Sequence, residues 1–145
     1  MKAVLQRVSR ARVVVEDRTV AEIGGGLLIL LGVGPEDTEA NAAALSRKIA
    51  NLRIFADAEG KMNLSVLDVR GSALVVSQFT LFADTRKGNR PAFVSAGAPE
   101  HARRLCDRFA ALLSEQGVPT QQGEFGAHMQ VELLNDGPVT ILMEM

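Results

Sequence analysis

Two hydrophobic periods alternate along this chain. Short runs rich in β-branched residues read as strands: Val4 to Val8, Val13-Val14-Val15, and Thr19 to Ile23, with Asp17-Arg18 as a hairpin turn before the last. Gly24-Gly25-Gly26 breaks the pattern. Leu27-Leu28-Ile29-Leu30-Leu31 then runs apolar without alternation, as a strand buried on both faces does. After Gly34-Pro35-Glu36-Asp37, a loop ending in a residue type favoured at N-caps, the period becomes helical. Ala42, Leu45, Ile49 and Leu52 recur on one face, which predicts an amphipathic helix from about Thr38 to Leu52.

The second half repeats the theme. Asp57-Ala58-Glu59-Gly60 is a turn, and Leu74 to Phe79 is a second buried strand. Residues 83–98 form a long, polar, irregular stretch, and loops of that length in compact domains are often functional. Pro99 suits a first helical turn. Ala102, Leu105, Phe109 and Leu112 mark one helix face, and Gly117 with Pro119 stops it. Strands are predicted at Val118 to Gln122, His128 to Leu134 and Val139 to Met143. Many strands, two helices and no regular βαβ alternation predict one α/β domain of the mixed α+β kind over residues 1–145. Its core is a sheet or barrel-like arrangement of several strands carrying the two main helices.

Composition narrows the function classes. The chain has 145 residues, 47% of them apolar and 23% charged, with a net charge of −1. That is ordinary for a globular domain and excludes disorder. A protein gripping long duplex usually carries basic excess, which is absent here. Cys106 is the only cysteine, so no intramolecular disulfide forms. Met1 to Arg7 lacks the apolar segment of a signal peptide, and Leu27 to Val33 is too short to span a bilayer. The expected compartment is the cytoplasm, with no membrane partner.

The candidate chemistry has ordinary and functional readings. The triple glycine precedes a strand rather than a helix, so it is a tight turn rather than a phosphate cradle. Cys106 falls near the apolar face of a helix and reads as structural. His101 and His128 lack metal-ligand spacing, so neither a metal nor a cofactor is expected. Arg86, Lys87 and Arg90 are either a solvated run or phosphate contacts, whereas Arg103, Arg104 and Arg108 read as a solvated helix face. On a regular strand, Ser77 and Phe79 point one way and Gln78 and Thr80 the other. Gln78 and Thr80 then meet a ligand together if their face borders a cleft, and N–H groups at the strand's end can hold an oxyanion. The plain alternative, strand propensity alone, weighs more on these residues by themselves. Gly137-Pro138 is likewise a turn on its own, although a rigid Gly-Pro carbonyl pair can also act as a steric gauge.

Taken in order, the segments resemble the D-aminoacyl-tRNA deacylase family over almost the whole chain. The matching pieces are Leu5-Gln6-Arg7-Val8, Gly26-Leu27-Leu28 with Leu31-Gly32-Val33, Arg53-Ile54-Phe55 with Gly60-Lys61-Met62-Asn63, Ser77-Gln78-Phe79-Thr80-Leu81, Arg90-Pro91, and Asn135-Asp136-Gly137-Pro138-Val139-Thr140. The resemblance implies a homodimer that hydrolyses the ester between a D-amino acid and the 3′ end of tRNA, and also removes mischarged glycine. It implies a cis Gly137-Pro138 reaching into the partner subunit's pocket, lined by Ser77, Gln78, Phe79 and Thr80. Phe125 and Met129 match further pocket positions, and Arg7 matches a residue supporting the Gly-Pro carbonyls. Two competing readings are a non-enzymatic RNA-end-binding module using the Arg86–Arg90 loop and a small-molecule esterase using Ser77 or Thr80. No nucleophile-elbow pattern surrounds either hydroxyl, which counts against the esterase.

Overall fold

A computed structural model describes residues 1–145. Its first strand, β1 (Lys2–Val15), joins two segments that the sequence pattern separates. The joining device is a bulge. Leu5 and Val8 face opposite layers of the core, as three positions of regular strand require, yet Ala11 shares the layer of Val8. The register against the last strand shifts between Val8 and Arg10. The bent strand thereby serves two partners along one edge: β2 (Arg18–Ile23) beside Ala11 to Val15, and β3 (Gly26–Gly32) beside Lys2 to Val8.

Helix α1 (Glu39–Ala50) starts from Thr38, whose N–H donates to Asn41 Oδ1 at 2.9 Å. Asp37, the expected cap, instead closes its own turn by accepting from the Gly34 N–H at 2.6 Å. Around the expected turn at Asp57–Gly60 lies a small hairpin, β4 (Phe55–Ala56) with β5 (Met62–Leu64). The Asp57 carboxylate organises it, accepting from the Glu59 and Lys61 N–H groups, both at 2.9 Å, and from Asn63 Nδ2 at 2.7 Å. Strand β6 (Ser72–Ser77) lies parallel to β3. Helix α2 (Pro99–Glu115) begins on Pro99. Strand β7 (Thr120–Gln122) extends the sheet beyond β6. Strand β8 (Gln130–Glu144) runs along the free edge of β1.

The sheet order is β2-β1-β3-β6-β7, with β8 on β1. A side chain draws its ends together into a nearly closed, barrel-like form. Gln121 Oε1 accepts from the Glu22 N–H at 2.9 Å, and its Nε2 donates to the Glu22 carbonyl at 2.7 Å. The amide thus supplies the two bonds that a neighbouring strand otherwise makes. Leu27, Ile29, Leu31, Ala73 and Val75 pack under the two helices with Leu45, Ile49, Leu105 and Phe109. Leu28, Leu74 and Val76 face the second layer with Val13, Val15 and Ile23. Strands β3 and β6 are therefore buried on both faces, as their apolar runs predict. No helix is long and apolar enough to cross a membrane.

Two differences from the sequence expectation shape the site. The strand expected through Phe79 ends at Ser77, and Phe79–Phe82 forms a 3-10 turn. The last ladder bond, from the Gln78 N–H to the Leu31 carbonyl at 2.8 Å, comes where β3 itself ends. Gly32 lets the turn settle there: a Cβ on it would stand 3.0 Å from the Phe82 ring and 3.1 Å from the Gln78 carbonyl. The strands expected at His128–Leu134 and Val139–Met143 are one strand carrying a large bulge. Asn135 pairs with Val8 and Thr140 with Gln6, so Asp136 to Val139 stand opposite Arg7 alone.

Candidate active site

The first part of the site is the exit from β6. Leaving the strand, Gln78 takes φ −142° and ψ 76°, and the chain tightens into the 3-10 turn. Strand alternation therefore does not place Gln78 beside Thr80; the turn does. Gln78 Nε2 donates to Thr80 Oγ1. Phe79 and Thr80 open the turn, so their N–H groups have no acceptor within it. Phe79 is 57% exposed, and its ring meets Phe93 edge-on at 5.0 Å between centroids.

Beside this exit lies a largely apolar pocket of about 320 Å³. Ser77, Gln78 and Phe79 line one side, with Phe125 and the Ala96-Gly97 segment among the other walls. Gly97 has a reason to be glycine: its N–H donates to the Val33 carbonyl at 2.8 Å, and a Cβ would approach the Gly34 carbonyl to 3.0 Å. Thr80 touches this pocket only through Gln78. Met129 is not part of its wall; it packs with the second core layer, against Gly123. Phe125 is, and the Arg103 guanidinium lies 5.7 Å over its ring.

Cys106 also borders the pocket, but it is buried, and burial first, then Asp107, pushes its thiol up to about 12. A thiol so protonated is no nucleophile at neutral pH. His101 Nε2 is buried without a hydrogen-bond partner. No three His, Cys, Asp or Glu side chains cluster as a metal site would need.

The second part is the β8 bulge, which presents Gly137 and Pro138, joined by a cis peptide bond, to solvent. Arg7 Nε donates to the Asp136 carbonyl at 2.8 Å, and its Nη1 to the Ile54 carbonyl at 2.6 Å. The family resemblance implies support of the Gly137 and Pro138 carbonyls; here the Nε bond falls one residue earlier, on Asp136. Asn135, which the sequence pattern does not single out, does most to fix the bulge. Its Nδ2 donates to the Arg7 carbonyl at 3.0 Å and the Val139 carbonyl at 2.9 Å, and its Oδ1 accepts from the Val139 N–H at 3.1 Å. An Asn followed by turn residues inside an apolar stretch is the only signal that hints at such a clamp.

The two parts are far apart within one chain. Gly137-Pro138 lies opposite Arg7, which pairs with Leu27, while Ser77 pairs with Leu31. Four positions along a strand and three strand spacings across a sheet separate them by roughly 20 Å measured along the sheet. The exposed Gly-Pro edge is thus no wall of its own chain's pocket.

The comparisons with known proteins agree with this architecture. The family model for D-Tyr-tRNA(Tyr) deacylase matches residues 4–144. The chain is 60% identical over 144 residues to the D-aminoacyl-tRNA deacylase of Roseiflexus castenholzii, covering 99% of this chain and 92% of that one. Identity to the Thermotoga petrophila D-aminoacyl-tRNA deacylase is 54%, covering 99% and 97%. Among solved structures it is similar to the c-Myc DNA Unwinding Element Binding Protein, with a TM-score of 0.94, 44% identity, and coverage of 100% and 99%. A probable eukaryotic D-amino acid tRNA deacylase shares the fold at a TM-score of 0.83 and 18% identity, covering 99% and 98%. With sequence identity this high over nearly every residue, and a fold shared with a deacylase, the chain belongs to the D-aminoacyl-tRNA deacylase family and is a hydrolase of the ester that joins a D-amino acid to tRNA.

Proposed function

We propose that the working enzyme is a cytoplasmic homodimer in which Gly137-Pro138 of each copy closes the other copy's pocket and there rejects L-amino acids. The observation that carries this reading is the separation of the two motifs: a pocket open at Ser77–Phe79, and an exposed Gly-Pro edge too distant to serve it within the same chain. Strand β8 supports a second copy. It is an edge strand of 15 residues, paired only with β1, with Leu134 53% and Leu142 69% exposed. A long strand edge left unpaired in this way invites pairing with another chain.

An aminoacyl ester is already activated, so hydrolysis needs a placed water and donors for the tetrahedral oxyanion. The Phe79 and Thr80 N–H groups at the start of the turn are suited to that oxyanion. Thr80 Oγ1, held by Gln78, positions rather than attacks, since no base accompanies it. Selection is the harder problem, because both enantiomers carry the same groups. A rigid backbone edge that occupies the direction of an L side chain excludes every L-amino acid without reading its identity. Glycine has nothing to exclude and is hydrolysed too.

The test is Gly137→Ala, assayed on D-Tyr-tRNA and L-Tyr-tRNA. A Cβ there would sit 2.7 Å from the Val139 N–H nitrogen and 3.3 Å from Arg7 Nη2. The variant is expected to lose D-substrate turnover or its discrimination against L. Parental D-rates with L still spared would show that this edge is not the gauge.

A further inference from the structure

We propose that Lys87 and Arg90 form a phosphate clamp that takes the tRNA strand as it leaves the pocket. The proposal rests on the deacylase reading above and deepens it by naming where the polynucleotide goes. The loop 83–98 is a built hairpin, not a slack connection: Asp84 and Ala92 exchange backbone bonds of 2.7 Å and 3.0 Å. Above that closure the charges divide. The Asp84 carboxylate accepts from the Arg86 N–H at 3.0 Å, Nε at 2.9 Å and Nη2 at 2.7 Å, so Arg86 is spent inside the loop. Lys87 and Arg90 have no carboxylate within ion-pair distance, and Asp84 is the only acid in the segment. Three cations against one acid leave a local charge of +2 on a chain whose net charge is −1.

The same loop is tied to the pocket at its far end. Phe93 packs on Phe79, and Ala96-Gly97 is part of the pocket wall. Within the Asp84–Ala92 closure residues 85–91 are all exposed, and Gly88, at φ +68°, turns the tip in open space. Two cations without partners stand on a loop whose base walls the pocket. The occupant that fits is a polyanion whose terminal residue enters that pocket, and the phosphates of the unpaired tRNA 3′ end are such a chain. The sequence alone does not distinguish Arg86, Lys87 and Arg90; the Asp84 pairing separates the first from the other two.

The experiment compares parental enzyme with the Lys87→Ala/Arg90→Ala double variant on D-Tyr-tRNA and on D-tyrosyl-adenosine, which has the same ester but no upstream phosphate. On the tRNA at low salt, KM is expected to rise about tenfold with kcat nearly kept. The salt dependence of kcat/KM should flatten by about 1.4 in log–log slope, two single-strand phosphate contacts at about 0.7 each. The adenosine ester should be cleaved by both proteins with similar kcat/KM. The charge-keeping swap Lys87→Arg/Arg90→Lys should retain the parental slope. If the double variant fails to fold, Lys87→Gln and Arg90→Gln carry the test, each flattening the slope by about half as much. An unchanged slope overturns the clamp, as does an equal loss on both substrates, which would make the loop a pocket support. If parental enzyme cleaves neither substrate, the deacylase reading itself has failed.

Discussion

Gly137 and Cys106 illustrate how single residues bear on the account. Gly137 has φ +153°, a conformation L side chains rarely adopt, and the space a Cβ would need is taken by Val139. Gly137→Ala is therefore expected to lower folding stability by about 1–3 kcal/mol, read from urea unfolding, besides its effect on selection. Asn135→Ala removes three hydrogen bonds at once and should cost about 2 kcal/mol; a loss below about 0.5 kcal/mol would show that Arg7 alone holds the bulge. Cys106 predicts a pH effect with a definite sign. Its thiol is raised from 9.0 to about 12, so the folded chain holds this proton more tightly than the unfolded chain. That contribution is complete below about pH 9 and is lost as pH climbs toward 12. Cys106→Ala should flatten this alkaline limb of the stability profile, and an alkylating reagent at pH 8 should label only unfolded protein. The burial of Cys106 was legible from its place on an apolar helix face. The work of Asn135 was not, because it ties the nearby Val139 to Arg7, which lies 128 positions away.

Elements were legible where periodicity ran long and uninterrupted. Both helices and the doubly buried β3 follow from it, since burial needs apolar side chains at fixed spacing. The pattern erred where tertiary contacts override it. β1 reads as two strands because a bulge reverses which residues face inward, and β8 because its bulge inserts a polar segment. The end of β6 was misplaced because nothing in Ser77-Gln78-Phe79 announces that its partner strand stops there. That end matters for chemistry: the turn, rather than the strand, joins Gln78 to Thr80. Thr80→Ala should accordingly leave single-turnover deacylation of D-Tyr-tRNA within about tenfold of the parent, less than the 10²-fold or more that loss of a true acid–base group costs. Complete loss, with folding and tRNA binding intact, would make Thr80 a chemical participant.

For the whole molecule, the fold class, the family and the two motifs were readable, but their separation was not. Order along a chain says nothing about the strand spacings that keep Gly137-Pro138 away from Ser77. That distance supports, on geometry alone, the two-copy arrangement that the family resemblance implies. If β8 is the meeting edge, Leu142→Lys should shift light-scattering mass from dimer toward monomer and cut deacylation in step. A monomer at assay concentration with full activity would refute the shared pocket.

The central claim is chirality-based editing, and release of labelled amino acid from matched D-Tyr-, L-Tyr- and Gly-tRNA tests it most directly. The account predicts loss of D-Tyr and Gly with L-Tyr spared. Equal release of D- and L-Tyr would contradict the gauge, and no release from any of them, at enzyme concentrations that bind the tRNA, would contradict the hydrolase itself.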